Sequence, residues 1–153
     1  MRMSDFVIRD AIVPNLQQST KEGIVREIVE SLRTAGYFPG NESEAVVKAI
    51  LKREQLGSTG IGRSIAIPHG KSTAVDRLIG TVAISPIGAN FESIDGELVH
   101  LFVLLVSPQD RPGDHLRALE SVVRTMKNDD YVKALREAQS RDAIWKLLDE
   151  PPS

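Results

Sequence analysis

Apolar residues recur along this chain with two periods, and the changes between them divide it into elements. Ile24, Val25, Ile28, Val29 and Leu32 fall on one helical face. Ser19-Thr20-Lys21-Glu22 before them has capping-box spacing and Gly36 after them supplies a stop, so the pattern predicts a first helix. Asn41-Glu42-Ser43-Glu44 opens a second, with Val46, Val47, Ile50 and Leu51 as its stripe and Gly57 as its end. Leu116, Leu119, Val122, Val123 and Met126 mark a third helix. Asp129 or Asp130 caps a fourth that reaches about Ala138, and Ser140 caps a fifth with Ala143, Ile144, Leu147 and Leu148 inward.

Between these helices the period shortens. Leu78 to Ser85 reads as a strand that stops at Pro86-Ile87-Gly88, and Ser64 to Ile67 as a short strand entered through a glycine-rich loop, Ser58 to Gly62. Asp95-Gly96 is a turn dipeptide, which predicts a hairpin between Phe91–Ile94 and Leu98–Val106. Leu98 to Val106 is nearly all apolar, interrupted by His100, as expected of a central strand covered on both faces. Ser107 to Gly113 is a loop that leaves His115 in the first turn of the third helix. Phe6 to Leu16 fits either an edge strand or an irregular lead-in, and 150–153 is expected to be a frayed, disordered tail.

A chain of 153 residues holds one domain with a real core and is too short for two ordinary ones, so 1–153 is expected to form a single unit. With 41% hydrophobic and 26% charged residues and a net charge of -2, it calls for neither nucleic acid nor an acidic membrane surface. Cysteine is absent, which excludes disulfides, thiolate zinc sites and thiol catalysis and points to the cytoplasm. The start, Met1 to Phe6, lacks the apolar core of a signal peptide, and Leu98 to Val106 is too short to span a bilayer.

The candidate chemistry centres on Ile65-Ala66-Ile67-Pro68-His69-Gly70-Lys71. Pro68 fixes its own φ and Gly70 permits conformations closed to other residues, so His69 would stand at a stiff, sharply turned strand end. A neutral imidazole there is a good nucleophile near pH 7. Turn chemistry alone explains the proline and glycine equally well, with His69 merely closing a strand.

Arg53 offers a planar fork of donors suited to phosphoryl oxygens, or is simply a cation at a helix C-terminus. His115 is either a neutral ring at a helix N-terminus, able to donate to an anion, or a polar surface residue. Ser58, Thr59 and Lys71 are secondary candidates for oxygen contacts, while Glu54 is expected to pair with a cation or face solvent. The glycine-rich loop lacks the ending of a P-loop, and the three histidines at 69, 100 and 115 lack the spacing of a metal motif. His100 fits a histidine hydrogen-bonded within the sheet.

Ile65 to Lys71, with Arg53-Glu54-Gln55-Leu56-Gly57-Ser58-Thr59-Gly60-Ile61-Gly62 upstream, resembles the phosphorylation-site signature of the fructose, mannitol and nitrogen-regulatory EIIA domains of the phosphoenolpyruvate-dependent phosphotransferase system. The resemblance covers nearly the whole chain and lies nearest the nitrogen-regulatory branch. It implies a single α/β domain with a mixed sheet of about four or five strands flanked by helices on both faces. It also implies that His69 accepts a phosphoryl group on Nε2 from an HPr-like phosphocarrier, with Arg53 and His115 steadying it and no metal or organic cofactor. Ile61, Ile65 and Ile67 would then contribute to the partner surface. Two destinies follow. A nitrogen-type protein binds regulatory targets, such as potassium-transport and sensor-kinase proteins, according to its phosphorylation state. A soluble fructose-type EIIA passes the group to a separate EIIB.

Overall fold

β5 (Val99–Ser107) is the strand on which the sheet is assembled in this computed structural model, which describes residues 1–152. It is a run of apolar residues buried on both sides, as the sequence pattern demands. β4 (Ile79–Ala89) lies antiparallel along one edge, with Val82 opposite Val103. Along the other edge run β2 (Ile65–Ala66) and β3 (His69–Lys71), both parallel to β5. Ile65 pairs with Leu101 and His69 with Leu105, so β2 and β3 keep one register and act as a single strand interrupted at Ile67-Pro68. β1 (Gly60–Gly62) folds back antiparallel on β2 and completes a mixed five-stranded sheet.

Side chains of a strand alternate between faces, and this decides what each helix covers. Phe102, Leu104 and Val106 face α1 (Lys21–Thr34) and α2 (Ser43–Gln55), in a core with Ile24, Ile28, Leu32, Val46 and Ile50. Leu101, Val103 and Leu105 face α3 (Pro112–Thr125), α4 (Asp129–Glu137) and α5 (Arg141–Asp149), with Val122, Leu135, Ile144 and Leu148. Helices therefore flank both faces. Burial of each such aliphatic side chain contributes about 1.5–3 kcal/mol, so the two cores hold the sheet from either side.

Local chemistry sets the helix ends. The Thr20 side chain caps α1 by accepting from the Gly23 amide, and the chain leaves that helix through Gly36 at φ 91°. Ser140 caps α5, as expected, by accepting from Ala143. Asn128, rather than either following aspartate, caps α4 by accepting from the Tyr131 amide. No side chain caps α2, which is entered instead through a 3-10 turn at Gly40–Glu42.

Other expectations are corrected. Ser58 to Gly62 is not all loop, because 60–62 form β1. β4 runs through Pro86 to Ala89: a register shift between Ile84 and Ala89 takes up the missing ladder hydrogen bond. The hairpin partner of β5 is thus β4, and 91–94 belong to the connection between them. Phe6 to Leu16 is an irregular lead-in that touches the free edge of β4 through two isolated bridges, Val7 to Gly80 and Val13 to Ala83. On α3 the buried face is His115, Ala118, Ser121 and Val122, followed by Met126 just past the helix end, while Leu116 and Val123 are exposed. Ala143 is exposed on α5. Of the expected frayed tail, Pro151 and Pro152 are half-buried outside any helix or strand, and Ser153 lies outside the described residues. Among the described residues no helix is long and apolar enough to cross a membrane.

Candidate active site around His69

His69 owes its position to the break in the strand. Proline has no amide to give the ladder, yet the Pro68 carbonyl still accepts from the Leu105 amide at 3.0 Å, so the chain stays in register while Ile67 swings out of the pairing. The Ile67 carbonyl is then taken by the ring of His69, at 2.8 Å from Nδ1. A carbonyl only accepts, so Nδ1 carries the proton and Nε2 keeps its lone pair. The ring therefore has a defined tautomer with an uncommitted Nε2.

The adjacent Gly70 lets this strand approach α2. A Cβ there would lie 3.1 Å from the Ile50 amide nitrogen and 3.2 Å from the Ala49 carbonyl carbon. Gly70 thus faces α2 and His69 faces the opposite side of the sheet, toward α3. There its ring meets His115, with centroids 5.2 Å apart and planes inclined by 61°. His115 is buried, and Ser107, the last residue of β5, approaches its Nδ1 at 2.5 Å. Of the two readings of His115, the exposed polar surface residue is therefore set aside.

Both rings are held neutral. Burial pushes the His69 imidazole below its ordinary value, the Arg53 charge lowers it further, and the Ile67 hydrogen bond and the Glu54 carboxylate act in the other direction. His115 is lowered to about 4, first by burial and then by His69 and Lys71. Arg53 sits in the last turn of α2, with Nη1 donating to the Gly57 carbonyl at 2.8 Å, and its charge is felt at His69. His69 and His115 are thus in contact, and Arg53 stands near enough for its charge to act on His69.

The supporting loop is built from groups that the sequence offers as ligands. Glu54 is buried and accepts from Lys21 Nζ at 3.0 Å, from the Thr59 amide at 3.1 Å and from the Thr59 hydroxyl. The Thr59 carbonyl in turn accepts from the Ile67 amide at 3.0 Å, so this network ends at the residue that orients His69. The Ser58 hydroxyl donates to the Phe91 carbonyl at 2.7 Å. Both hydroxyl protons are already committed, so Ser58 and Thr59 hold the loop rather than offering donors to a phosphoryl group. Lys71 is exposed and close enough to act on His115.

Ile65 and Ile67 do not belong to a docking surface: they are 0% and 3% exposed, because they lie beside β5 in the core that α3, α4 and α5 cover. Ile61 is 39% exposed and keeps that candidacy. Pattern reading missed Leu56, 82% exposed after α2, and misassigned Leu116, 57% exposed beside His115. His100 is bonded through Nδ1 to the Ser85 carbonyl at 2.9 Å, as a histidine within the sheet should be. A cleft of about 680 Å³ adjoins His100 and Arg63 toward the opposite end of β5 and includes neither His69 nor His115.

A half-buried imidazole with an uncommitted Nε2, beside a second neutral ring and within reach of a guanidinium's charge, offers what phosphoryl transfer needs, an atom for in-line attack and donors for the oxygens. Known proteins agree. Residues 5–150 match the family model described as phosphoenolpyruvate-dependent sugar phosphotransferase system, EIIA 2. A nitrogen regulatory protein of Bradyrhizobium diazoefficiens is 35% identical over 153 residues, covering 100% of this chain and 98% of the relative. The fructose-specific EIIABC component of Bacillus subtilis is 33% identical over 98% of this chain and 23% of its own length. Among solved structures, the nitrogen regulatory protein IIA-Ntr of Neisseria meningitidis superposes with a TM-score of 0.85 at 24% identity, covering 95% of this chain and 98% of that one. The Escherichia coli mannitol IIA, solved in complex with phosphorylated IIB, gives 0.77 at 25% identity over 92% of this chain and 95% of that one. The chain belongs to the type 2 EIIA family of the phosphoenolpyruvate-dependent phosphotransferase system, whose members are protein-to-protein phosphotransferase components.

Proposed function

We propose that His69 is the phosphorylated residue and that this EIIA protein acts as a nitrogen-type regulator. The observation that carries the first part is the pairing of Nδ1 with the Ile67 carbonyl, which leaves Nε2 as the attacking atom. The Nε2 lone pair attacks phosphorus in line, and the P–N bond to the donor's imidazole breaks with its electrons returning to the donor. The ring of His69 then bears positive charge at Nδ1–H, where the Ile67 carbonyl stabilises it. The donor is an HPr-like histidine phosphocarrier, Arg53 and His115 hold the phosphoryl oxygens, and Lys71 attracts the negatively charged donor.

Docking uses exposed apolar side chains, Leu56 after α2, Ile61 on β1 and Leu116 next to His115 in the chain, with a phosphorylated partner's charge met by Arg53 and Lys71. Phosphorylation places negative charge in the middle of that surface, so it can release or recruit a target without any change of fold. The full-length similarity to the Bradyrhizobium nitrogen regulatory protein favours a regulatory role; the targets proposed are potassium-transport or sensor-kinase proteins, met in the cytoplasm. The similarity to the fructose-specific component keeps a second reading, transfer to an EIIB for sugar uptake.

Incubation with phosphoenolpyruvate, the general phosphotransferase enzyme and the carrier should add one phosphate by intact mass, and His69→Ala should abolish it. Phosphate retained by His69→Ala would overturn the assignment. Rapid stoichiometric discharge to a sugar EIIB would favour transport over regulation, whereas phosphate-dependent capture of a potassium-transport or sensor protein without discharge would favour regulation.

A further inference from the structure

We propose that Ser107 is a positioning residue for phosphoryl transfer, its hydroxyl fixing the tautomer of His115 so that Nε2–H is aimed at the phosphoryl group on His69. The inference rests on the reading of His69 as the phosphorylated residue.

Ser107 is fully buried at the end of β5. Strand alternation puts its side chain on the same face of the sheet as Val103 and Leu105, which belong to the α3-side core. Its hydroxyl lies 2.5 Å from His115 Nδ1 and has no other acceptor among the described residues. A buried O–H without an acceptor is costly, and Nδ1 of a neutral imidazole is an acceptor only when it carries no proton. The hydroxyl therefore donates to Nδ1, and the proton of His115 resides on Nε2. Were the tautomer reversed, Nδ1–H would point at Ser107 and a bare lone pair would face the anionic phosphoryl oxygens.

The backbone gives Ser107 a fixed relation to the nucleophile. It pairs with Lys71, two residues beyond His69 on β3, and its carbonyl accepts from the Ser72 amide at 2.9 Å. The orienting hydroxyl and the attacking imidazole thus stand on adjacent, hydrogen-bonded strands, and His115 enters between them from α3. A supporting hydrogen bond of this kind fixes both ring orientation and tautomer.

The test begins with the unmodified protein: ring nitrogen chemical shifts of His115 at pH 7 should show Nε2 protonated and Nδ1 bare. The reverse tautomer would overturn the proposal whatever the variants do. Ser107→Ala should fold, checked by its thermal midpoint, yet lose that tautomer preference and slow phosphoryl transfer roughly tenfold. In a His115→Ala background, Ser107→Ala should have no further effect on transfer, because the hydroxyl acts only through that ring. Equal slowing in both backgrounds would overturn the positioning role. If the unmodified protein takes no phosphate, the reading of His69 fails instead, and the tautomer measurement still decides the orientation of the hydrogen bond.

Discussion

His69 donates its Nδ1 proton to the carbonyl of Ile67, two residues back, across the break that Pro68 makes in the strand. This contact settles which nitrogen is free. The phosphohistidine formed should be the Nε2 isomer, identified by the ring nitrogen and phosphorus couplings of labelled protein. A product carrying phosphate on Nδ1 would require that bond to break first and would contradict the arrangement.

Arg53 contributes a charge rather than a fold. Its Nη1 contact is to the neighbouring Gly57 carbonyl, so Arg53→Ala should leave the thermal midpoint nearly unchanged while slowing phosphoryl transfer about 10²-fold. Arg53→Lys should recover only part of the rate, because an ammonium lacks the planar fork. Since the Arg53 charge lowers the His69 pKa, both the direction and the site can be checked by titrating His69, whose pKa should rise in Arg53→Ala.

Arg53, His69 and His115 each sit at a signalled position, a helix end, a strand end next to proline and a helix start. Position alone leaves Arg53 as a helix-end cation and His115 as a surface residue, and only the family resemblance joins them to His69. The stripes of α1 and α2 were legible, since one face of each repeats with helical period. Side choice was not. Leu116 and Val123 fit the apolar period of α3 as well as Ala118 and Val122 do, and only the sheet beneath decides which set is buried. Ile65 and Ile67 flank the reactive stretch in sequence, but alternation and the cover from α3 turn them inward. Ser107 reads in sequence as the first residue of a loop because the apolar run ends at Val106, although its pairing with Lys71 extends the strand by one residue.

Glu54 and Lys21 should matter for stability more than for chemistry. The carboxylate is buried and satisfied by Lys21 and Thr59, so Glu54→Ala leaves the Thr59 amide unpaired and Lys21 with only the exposed Glu92 carboxylate at 3.7 Å. The expected cost is about 2–3 kcal/mol, read as a lower urea midpoint with an unchanged slope. A loss below a few tenths of a kcal/mol would mean that solvent replaces the pair without penalty.

Acid should destabilise the protein through its two site histidines. The His69 pKa is depressed in the folded state and that of His115 falls to about 4, whereas the unfolded chain takes up protons near 6.5. Their contribution is therefore fully present above about pH 6.5 and is lost as the pH falls toward 4, on the order of 2–3 kcal/mol for His115. Urea midpoints between pH 7 and pH 4.5 should decline, and His115→Gln should flatten that decline. An unchanged pH slope in the variant would show that other groups carry it.

Gly70 tests whether close packing of β3 on α2 places the guanidinium. A methyl group at this position would press on the Ile50 amide and the Ala49 carbonyl carbon, at 3.1 and 3.2 Å, and helix backbone yields less readily than the end of a side chain. Gly70→Ala should therefore cost about 1–3 kcal/mol. At roughly 2–4 °C per kcal/mol for a chain of this size, the thermal midpoint should fall by several degrees. The displaced helix carries Arg53 one turn beyond Ile50, so transfer to His69 should slow even at temperatures where the variant is fully folded. A destabilised Gly70→Ala that transfers phosphate at the normal rate would show that the approach of strand and helix serves packing alone.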